Sequence, residues 1–304
     1  MSRVVVCGSL NMDLALTSVR RPAVGETLLG AQFALSPGGK GLNQAVAAAR
    51  LGARTAMTGR VGRDPFGRAL KAFLRLEGVD AKPVKTDPTA ATGVALIQIA
   101  GGDNAITVAS GANAYFRTAD AAPRARAGDV WLAQAETPLA TIARLFTEAR
   151  RAGARTILNL APFAPPPASL LLATEILVVN EIELAQASGR RVGAHDPVPR
   201  IARACAILRA RGPEVVIATL GAQGAVLVDG AGTLVLPAPR ARVVDTTGAG
   251  DCLCGALAAR LAAGDSPRTA LRYALAAASC SVERSGAAPS MPRPAAVAAR
   301  LRKP

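Results

Sequence analysis

Seven consecutive residues, Asp245-Thr246-Thr247-Gly248-Ala249-Gly250-Asp251, combine an anion cradle with a carboxylate at its lip. Two glycines and an alanine leave almost no side chain between a phosphate and the backbone amides. The apolar run Gly232 to Val244 ahead of them reads as a strand, and Cys252 to Leu261 behind them reads as a helix. The amides therefore sit at a helix N-terminus, where free N–H groups and the helix dipole both favour an anion. Asp251 falls in the first helical turn, placed to take a proton from an attacking hydroxyl. That combination describes phosphoryl transfer to an alcohol, which proceeds mainly through positioning and electrostatics. No Gly-x-x-x-x-Gly-Lys-Ser/Thr loop occurs in the chain. Taken alone, the heptad equally fits a tight strand-to-helix connection.

A second glycine cluster lies about two hundred residues upstream, in Ser36-Pro37-Gly38-Gly39-Lys40-Gly41-Leu42-Asn43-Gln44-Ala45, and opens a helix through Arg50. Lys40 and Asn43 are three apart and share a helix face. With Asn11 and Asp13, just after the first strand, they form a set rich in hydroxyl-binding groups. A polyol needs such partners, because each buried hydroxyl left unpaired costs about 1–3 kcal/mol.

The elements that must hold these residues follow a simple pattern. Short β-branched runs (Val4–Cys7, Arg54–Thr58, Val130–Ala133, Thr156–Leu160, Ile176–Val179, Val215–Thr219) alternate with alanine-rich helical stretches. The helices are expected over Gly41–Leu51, Phe66–Leu76, Leu139–Arg151, Pro199–Arg211, Gly250–Ala262 and Pro267–Ser281. This alternation predicts an α/β fold with a mostly parallel sheet covered by helices. Two segments break it: Leu14–Val19 with Thr27–Phe33, and Val94–Ala100 with Ala105–Ser110. Each reads as a hairpin, the second turning at Gly101-Gly102-Asp103-Asn104. Together they predict a small β-sheet lid over the active-site edge, an antiparallel extension of the main sheet being the alternative.

Composition sets further bounds. Of 304 residues, half are hydrophobic, so a large core is easily built. The net charge of +15 raises nucleic acid as a partner. Against this, the arginines are scattered along helices such as Arg200 to Arg211, and no aromatic-interleaved basic stretch offers bases a stacking surface. Five cysteines without paired spacing argue for free thiols in a reducing compartment. Cys252-x-Cys254 reads as small residues in an apolar helix rather than a metal site, with the only histidine, His195, in a polar loop. The opening strand lacks the apolar length of a signal peptide, and no run approaches a membrane span, so a cytoplasmic protein with no membrane partner is expected.

The two glycine motifs, with Gly52 and Gly62 behind the first, resemble the ribokinase (PfkB) family of carbohydrate kinases. Blocks between them match as well: Gly8 to Asp13, Pro22 to Thr27, Thr92 to Ile97, Gly111 to Ala114, Asn180 to Glu183 and Thr219 to Gly221. The resemblance covers essentially the whole chain. It implies a single domain over residues 1–304, a three-layer α/β/α sandwich with a β lid near residues 14–33 and 94–110, and a homodimer. It also implies ATP-dependent phosphorylation of a sugar's primary hydroxyl, O5 of D-ribose above all.

By that resemblance Asp251 is the catalytic base, and Gly248, Ala249 and Gly250 form the anion hole. Asn11, Asp13, Gly39, Lys40, Asn43 and Glu136 hold the sugar. Asn180 and Glu183 position Mg²⁺ and phosphates through water, and Thr219, Leu220, Gly221, Ala222, Gln223 and Gly224 border the nucleotide, with Gly250 at its phosphates. Asp245, Thr247, Ser281, Arg284, Gly286 and Ser290 bind a monovalent cation, K⁺, largely through backbone oxygens. The chain departs from the family pattern at Leu253 and Cys254, where Phe and Asn are frequent, and at Leu275 beside the adenine. Two other activities fit the residues: a sister kinase for fructose, a ketodeoxy sugar acid or a nucleoside would alter only the sugar side, and a non-catalytic sugar-binding regulator would not need Asp251.

Overall fold

A computed structural model describes residues 2–101 and 103–302. Among them the strands are β1 (Val4–Cys7), β2 (Asn11–Ser18), β3 (Gln32–Gly38), β4 (Thr55–Gly62), β5 (Val84–Asp87), β6 (Gly93–Ala100), β7 (Asp103–Ala109), β8 (Val130–Gln134), β9 (Arg155–Asn159), β10 (Ile176–Asn180), β11 (Val215–Thr219), β12 (Ala225–Asp229) and β13 (Gly232–Leu236). The helices are α1 (Lys40–Arg50), α2 (Pro65–Leu76), α3 (Leu139–Arg151), α4 (Ala168–Leu172), α5 (Glu181–Ser188), α6 (Val198–Arg209), α7 (Ala249–Ala262), α8 (Pro267–Ser281) and α9 (Pro294–Leu301).

Nine strands form the main sheet in the order β13-β12-β11-β10-β9-β8-β1-β4-β5, parallel except where β12 and β13 turn back as an antiparallel edge. Alternate side chains of each strand serve opposite faces. Val4 and Val6 join the core under α1, α2, α7, α8 and α9, whereas Val5 and Cys7 join the core under α3 to α6. A sheet covered on both faces needs apolar residues at every position, which is why these strands read as unbroken Val/Ile/Leu runs. The expected α/β/α layering is what forms.

The chain departs from β1 toward β4 and β5 on one side and later from β8 toward β13 on the other, so its direction across the sheet reverses at β1 and β8. Ligands of open α/β sheets collect outside the carboxyl ends of strands at such a reversal. Ser9 and Glu136 follow β1 and β8 there, and Asn159, Asn180 and Thr219 end β9, β10 and β11.

Four strands form a separate sheet in the order β3-β2-β6-β7. Its two hairpins are joined by the parallel pair β2–β6, in register from Asn11–Gly93 to Ser18–Ala100. It does not extend the main sheet. The first hairpin differs from expectation: its second strand is Gln32–Gly38 rather than Thr27–Phe33. The connection is longer because Gly25 and Gly30 adopt φ of 82° and 87° and Glu26 binds the Arg20 guanidinium and the Ala23 amide, which stabilise a loop. Gly102 lies outside the described residues. A second correction concerns the approach to the heptad. The strand expected over Gly232 to Val244 stops at Leu236, because Pro237 and Pro239 cannot continue a ladder. Residues 237–244 instead run as a loop moored to the end of α8, where Val244 and Asp245 both donate to the Val282 carbonyl at 2.8 and 3.1 Å.

Candidate active site

The heptad forms the expected loop-to-helix turn. Gly248 is the residue before α7, with φ of 76°, a left-handed conformation that suits glycine. The helix start carries no side-chain cap; the Ala249 amide donates to the Thr246 carbonyl at 3.2 Å, which leaves the neighbouring Gly248 and Gly250 amides for a ligand. Gly248, Ala249, Gly250 and Asp251 line a cavity of about 150 Å³, together with Lys40, Asn180, Glu183 and Thr219. Residues more than two hundred positions apart, Lys40 and Asp251, thus share one wall.

Asp251 sits in the first turn of α7 and is buried. Asn43 Nδ2 donates to its Oδ2 at 3.0 Å and Gln44 Nε2 to its Oδ1 at 2.9 Å. Both donors come from α1, which packs directly on α7. The charge of Asp251, joined by those of Glu136 and Glu183, holds the Lys40 ammonium above the usual lysine range despite burial.

The polar groups on the sheet edge are organised from below. Glu136, in the loop after β8, accepts from the Ser9 hydroxyl and from the Lys40 amide at 3.2 Å, so it caps the start of α1 from another element. Asn113 clamps the Leu10 backbone, accepting from its amide at 2.9 Å and donating to its carbonyl at 3.1 Å. The same amide donates to Asn11 Oδ1 at 2.8 Å, which fixes the orientation of Asn11. Burial and the nearby carboxylates of Glu136 and Asp251 push Asp13 up to about 7. Asp13, Lys40, Asn43, Glu136 and Asp251 are thereby brought together as expected, with Gly39 (φ 89°) as the turn before α1.

Asn180 and Glu183 do more than border the cavity. Asn180 Oδ1 accepts from the Glu183 amide at 2.7 Å and Glu183 Oε2 accepts from the Asn180 amide at 2.9 Å, a reciprocal cap on α5. One oxygen of each pair member is committed to the helix. Burial raises Glu183 above the usual carboxylate range.

Thr219 ends β11 and lines the cavity, and Gly221 to Gln223 form a single 3₁₀ turn closed by Gly224. The Leu220 side chain, by contrast, is buried in the core under α6 and offers only its backbone. Gln223 reaches His195, Nε2 to Nδ1 at 2.6 Å, which brings the only histidine to this turn.

Of the cation set, Asp245 ties two segments together, accepting from Thr247 at 2.9 Å and from Gly286 at 2.8 Å. Burial opposes its charge, but these bonds prevail and hold it below the usual range. Ser281 and Ser290 turn their hydroxyls to the carbonyls of Ala278 and Ala287, and the Ser281 carbonyl accepts from the Arg284 amide at 3.1 Å.

Sequence reasoning missed Gln44, Asn159, Ser9 and Asn113 as working parts. Gln44 lies inside the first glycine motif, and Asn159 is the last residue of β9. The position of Asn159 at a strand's carboxyl end was the available signal. Cys254, itself fully buried, lines the cavity beside Asp251, Leu253 is buried in the core, and Leu275 lines a separate cavity with the 237–242 loop.

The model of the pfkB family carbohydrate kinases matches residues 1–294. The chain belongs to this family. It is 37% identical over 295 residues to the ribokinase of Bacillus subtilis, covering 96% of this chain and 97% of that one. The mouse ribokinase is 38% identical over 266 residues, 85% of this chain and 81% of its own. The structure of Arabidopsis thaliana ribokinase complexed with ribose and ATP superposes with a TM-score of 0.90 at 32% identity, each chain covered completely. A pfkB carbohydrate kinase is a sugar kinase, and the geometry just described belongs to that kind of enzyme. No described helix is long and apolar enough to cross a membrane.

Proposed function

We propose that the chain is an ATP-dependent ribokinase that transfers the γ-phosphoryl group to O5 of D-ribose. The observation that carries the reading is the buried Asp251 carboxylate, held by Asn43 and Gln44 at the mouth of an uncapped helix. Asn11, Asp13, Lys40, Asn43 and Glu136 gather hydroxyl-binding groups on one side of it, and the 248–250 amides face phosphate on the other. Asp251 takes the O5 proton as the oxygen attacks phosphorus. The new O5–P bond forms as the bond from phosphorus to the β-phosphate oxygen breaks, and ADP leaves. The amides of Gly248 and Gly250, with that of Ala249 once it turns from the Thr246 carbonyl, stabilise the charge on the moving phosphoryl oxygens. Thr219 to Gly224 border the nucleotide by this account, with Leu220 contributing backbone only. The smaller sheet acts as a lid that excludes water. A panel of pentoses, hexoses and nucleosides with ATP tests the reading: ribose should give the highest kcat/KM, and a preference for fructose or a nucleoside would replace it.

Mg²⁺ fits beside Glu183, whose Oε1 the α5 cap does not use, while the Asn180 NH₂ is left to donate to a phosphate oxygen or water; when bound, the ion would neutralise phosphate charge.

K⁺ fits the Asp245 loop. The carboxylate there accepts from the Thr247 amide and hydroxyl and from the Gly286 amide, and so joins the anion-hole loop to the Gly286 segment. Potassium should raise activity over a bulky organic cation at equal ionic strength, and Asp245→Ala should abolish the difference. Equal rates with both cations would leave Asp245 a purely structural tie. The ionic-strength control is needed because a chain of net charge +15 responds to screening alone.

Asp13 makes the sugar side sensitive to pH. Its folded-state value near 7 lies above the ordinary 3.8, so the folded protein holds this proton more tightly than the unfolded chain. Stability should therefore fall as pH rises from about 4 toward 7. Sugar affinity should move oppositely, since a charged carboxylate is the better acceptor for hydroxyls. The KM for ribose is expected to rise as pH drops below about 7, and Asp13→Asn should flatten that dependence. A KM profile unchanged by the substitution would remove Asp13 from the sugar pocket.

A homodimer fits the small sheet, which exposes Phe33, Leu35 and Leu96 on one face and Ile106 and Val108 on the other. Such a sheet gains from a partner that buries it. Sedimentation should give twice the chain mass for the wild type and the single mass for Leu35→Asp with Leu96→Asp. A monomeric wild type would refute the assembly. Five free, buried cysteines accord with a cytoplasmic setting.

A further inference from the structure

The Asp251 carboxylate is gripped by two consecutive residues of α1. Residues adjacent on a helix project about 100° apart, so both reach one carboxylate only where helices lie very close. They do here: a Cβ on Gly255 of α7 would stand 2.5 Å from the Gln44 carbonyl oxygen. The two amides differ in their commitments. Asn43 keeps its buried Oδ1 without a partner. Gln44 is completely buried and both its N–H groups and its oxygen are engaged. One N–H goes to Asp251 Oδ1 at 2.9 Å and the other to Asn159 Oδ1 at 3.0 Å, while Oε1 accepts from Gln134 Nε2 at 2.6 Å.

Only one orientation of the Gln44 amide satisfies this arrangement. Turned over, its oxygen would face two acceptors and its NH₂ would face the NH₂ of Gln134. Asn159 is oriented in turn by donating to the Val178 carbonyl at 3.4 Å. Gln134 lies fully buried over Gly8, where a Cβ would meet its Oε1 at 1.9 Å. The glycine after β1 is thus what lets Gln134 reach Gln44. Lys40, Asp13, Glu183 and Cys254 face Asp251 with charge or a titratable group. They set its electrostatic surroundings, whereas the amides set its direction.

We infer that Gln44, locked by Gln134 and Asn159, is the positioning residue for Asp251: it pins Oδ1, so that Oδ2, which accepts from Asn43, turns its remaining lone pair to the substrate proton. The inference rests on Asp251 being the base of the proposed reaction. Gln44→Met keeps the length of the side chain and removes all three polar contacts. Its kcat should fall about 10- to 100-fold, the cost of a small misplacement of a catalytic group. KM for sugar and ATP should stay within about threefold, because neither is held by Gln44. A crystal structure of the sugar-free variant should show the Asp251 carboxylate rotated or in two conformers. A folded Gln44→Met enzyme with kcat within twofold of wild type, or with Asp251 unmoved, overturns the assignment. If that variant does not fold, Gln134→Leu carries the test through a kcat loss of about three- to tenfold at unchanged KM, and wild-type kcat overturns it. The crystallographic comparison needs no substrate, so it decides the role of Gln44 even if the sugar panel rejects ribose.

Discussion

Asp251→Asn is expected to lower turnover by about 10²–10⁴-fold, the usual contribution of a general base. Sugar and nucleotide binding should survive. The carboxamide keeps the shape, its oxygen can still accept from Gln44, and its NH₂ can meet Asn43 Oδ1, which has no partner in the wild type, once that amide turns over. What the variant lacks is a group that can take the hydroxyl proton. Steady-state kcat and calorimetric titration with ribose separate the two effects. A purified variant that keeps more than half of wild-type turnover would show that Asp251 is not the base.

Gly255→Val should damage both stability and catalysis through one contact. A side chain at 255 would meet the Gln44 carbonyl at 2.5 Å, the Ala47 Cβ at 2.6 Å and the Ala48 amide at 3.0 Å. Two of these atoms are backbone and cannot swing aside, so α1 and α7 must separate. Overpacking of this kind costs about 1–3 kcal/mol, sometimes more. In a chain of this size the melting temperature should drop by roughly 2–5 °C. The same separation withdraws Asn43 and Gln44 from Asp251, so kcat should fall with it. Gly193→Ala, where nothing lies within 4 Å, is the control and should change neither. A Gly255→Val enzyme with wild-type melting and kcat would contradict the close packing of these helices.

The parallel strands and most long helices were legible because burial on both faces writes itself as apolar runs and long amphipathic stretches. Val4–Cys7 and Val215–Thr219 need no correction, and Leu139–Arg151 forms over its full predicted length. The antiparallel edge is not fully legible: β12 is a five-residue, mostly apolar run between two glycine turns, too short for periodicity to mark as a strand, and two prolines end β13 at Leu236 inside a longer apolar stretch. In the small sheet, the first hairpin's second strand starts later than the apolar run suggests, because Gly25 and Gly30 extend the connecting loop to Ala31.

At the site, the glycine turns and Asp251 were readable because backbone exposure and a carboxylate at a helix start are local features. The side-chain relay through Gln44, Gln134 and Asn159 was not, since it joins α1, β8 and β9 and exists only after the sheet is assembled. The reciprocal cap of Asn180 and Glu183 was also hidden, although its spacing is that of a capping box. The family resemblance supplied the phosphate-side role and left the structural one unread.

The most direct test of the central claim is the product formed from uniformly ¹³C-labelled D-ribose and ATP, read by NMR. The account predicts ATP-dependent conversion to a phosphomonoester whose phosphorus couples to C5 and C4 and not to C1. Unconsumed ribose, or phosphorus coupled to another carbon, would contradict the placement of O5 between Asp251 and the Gly248–Gly250 amides.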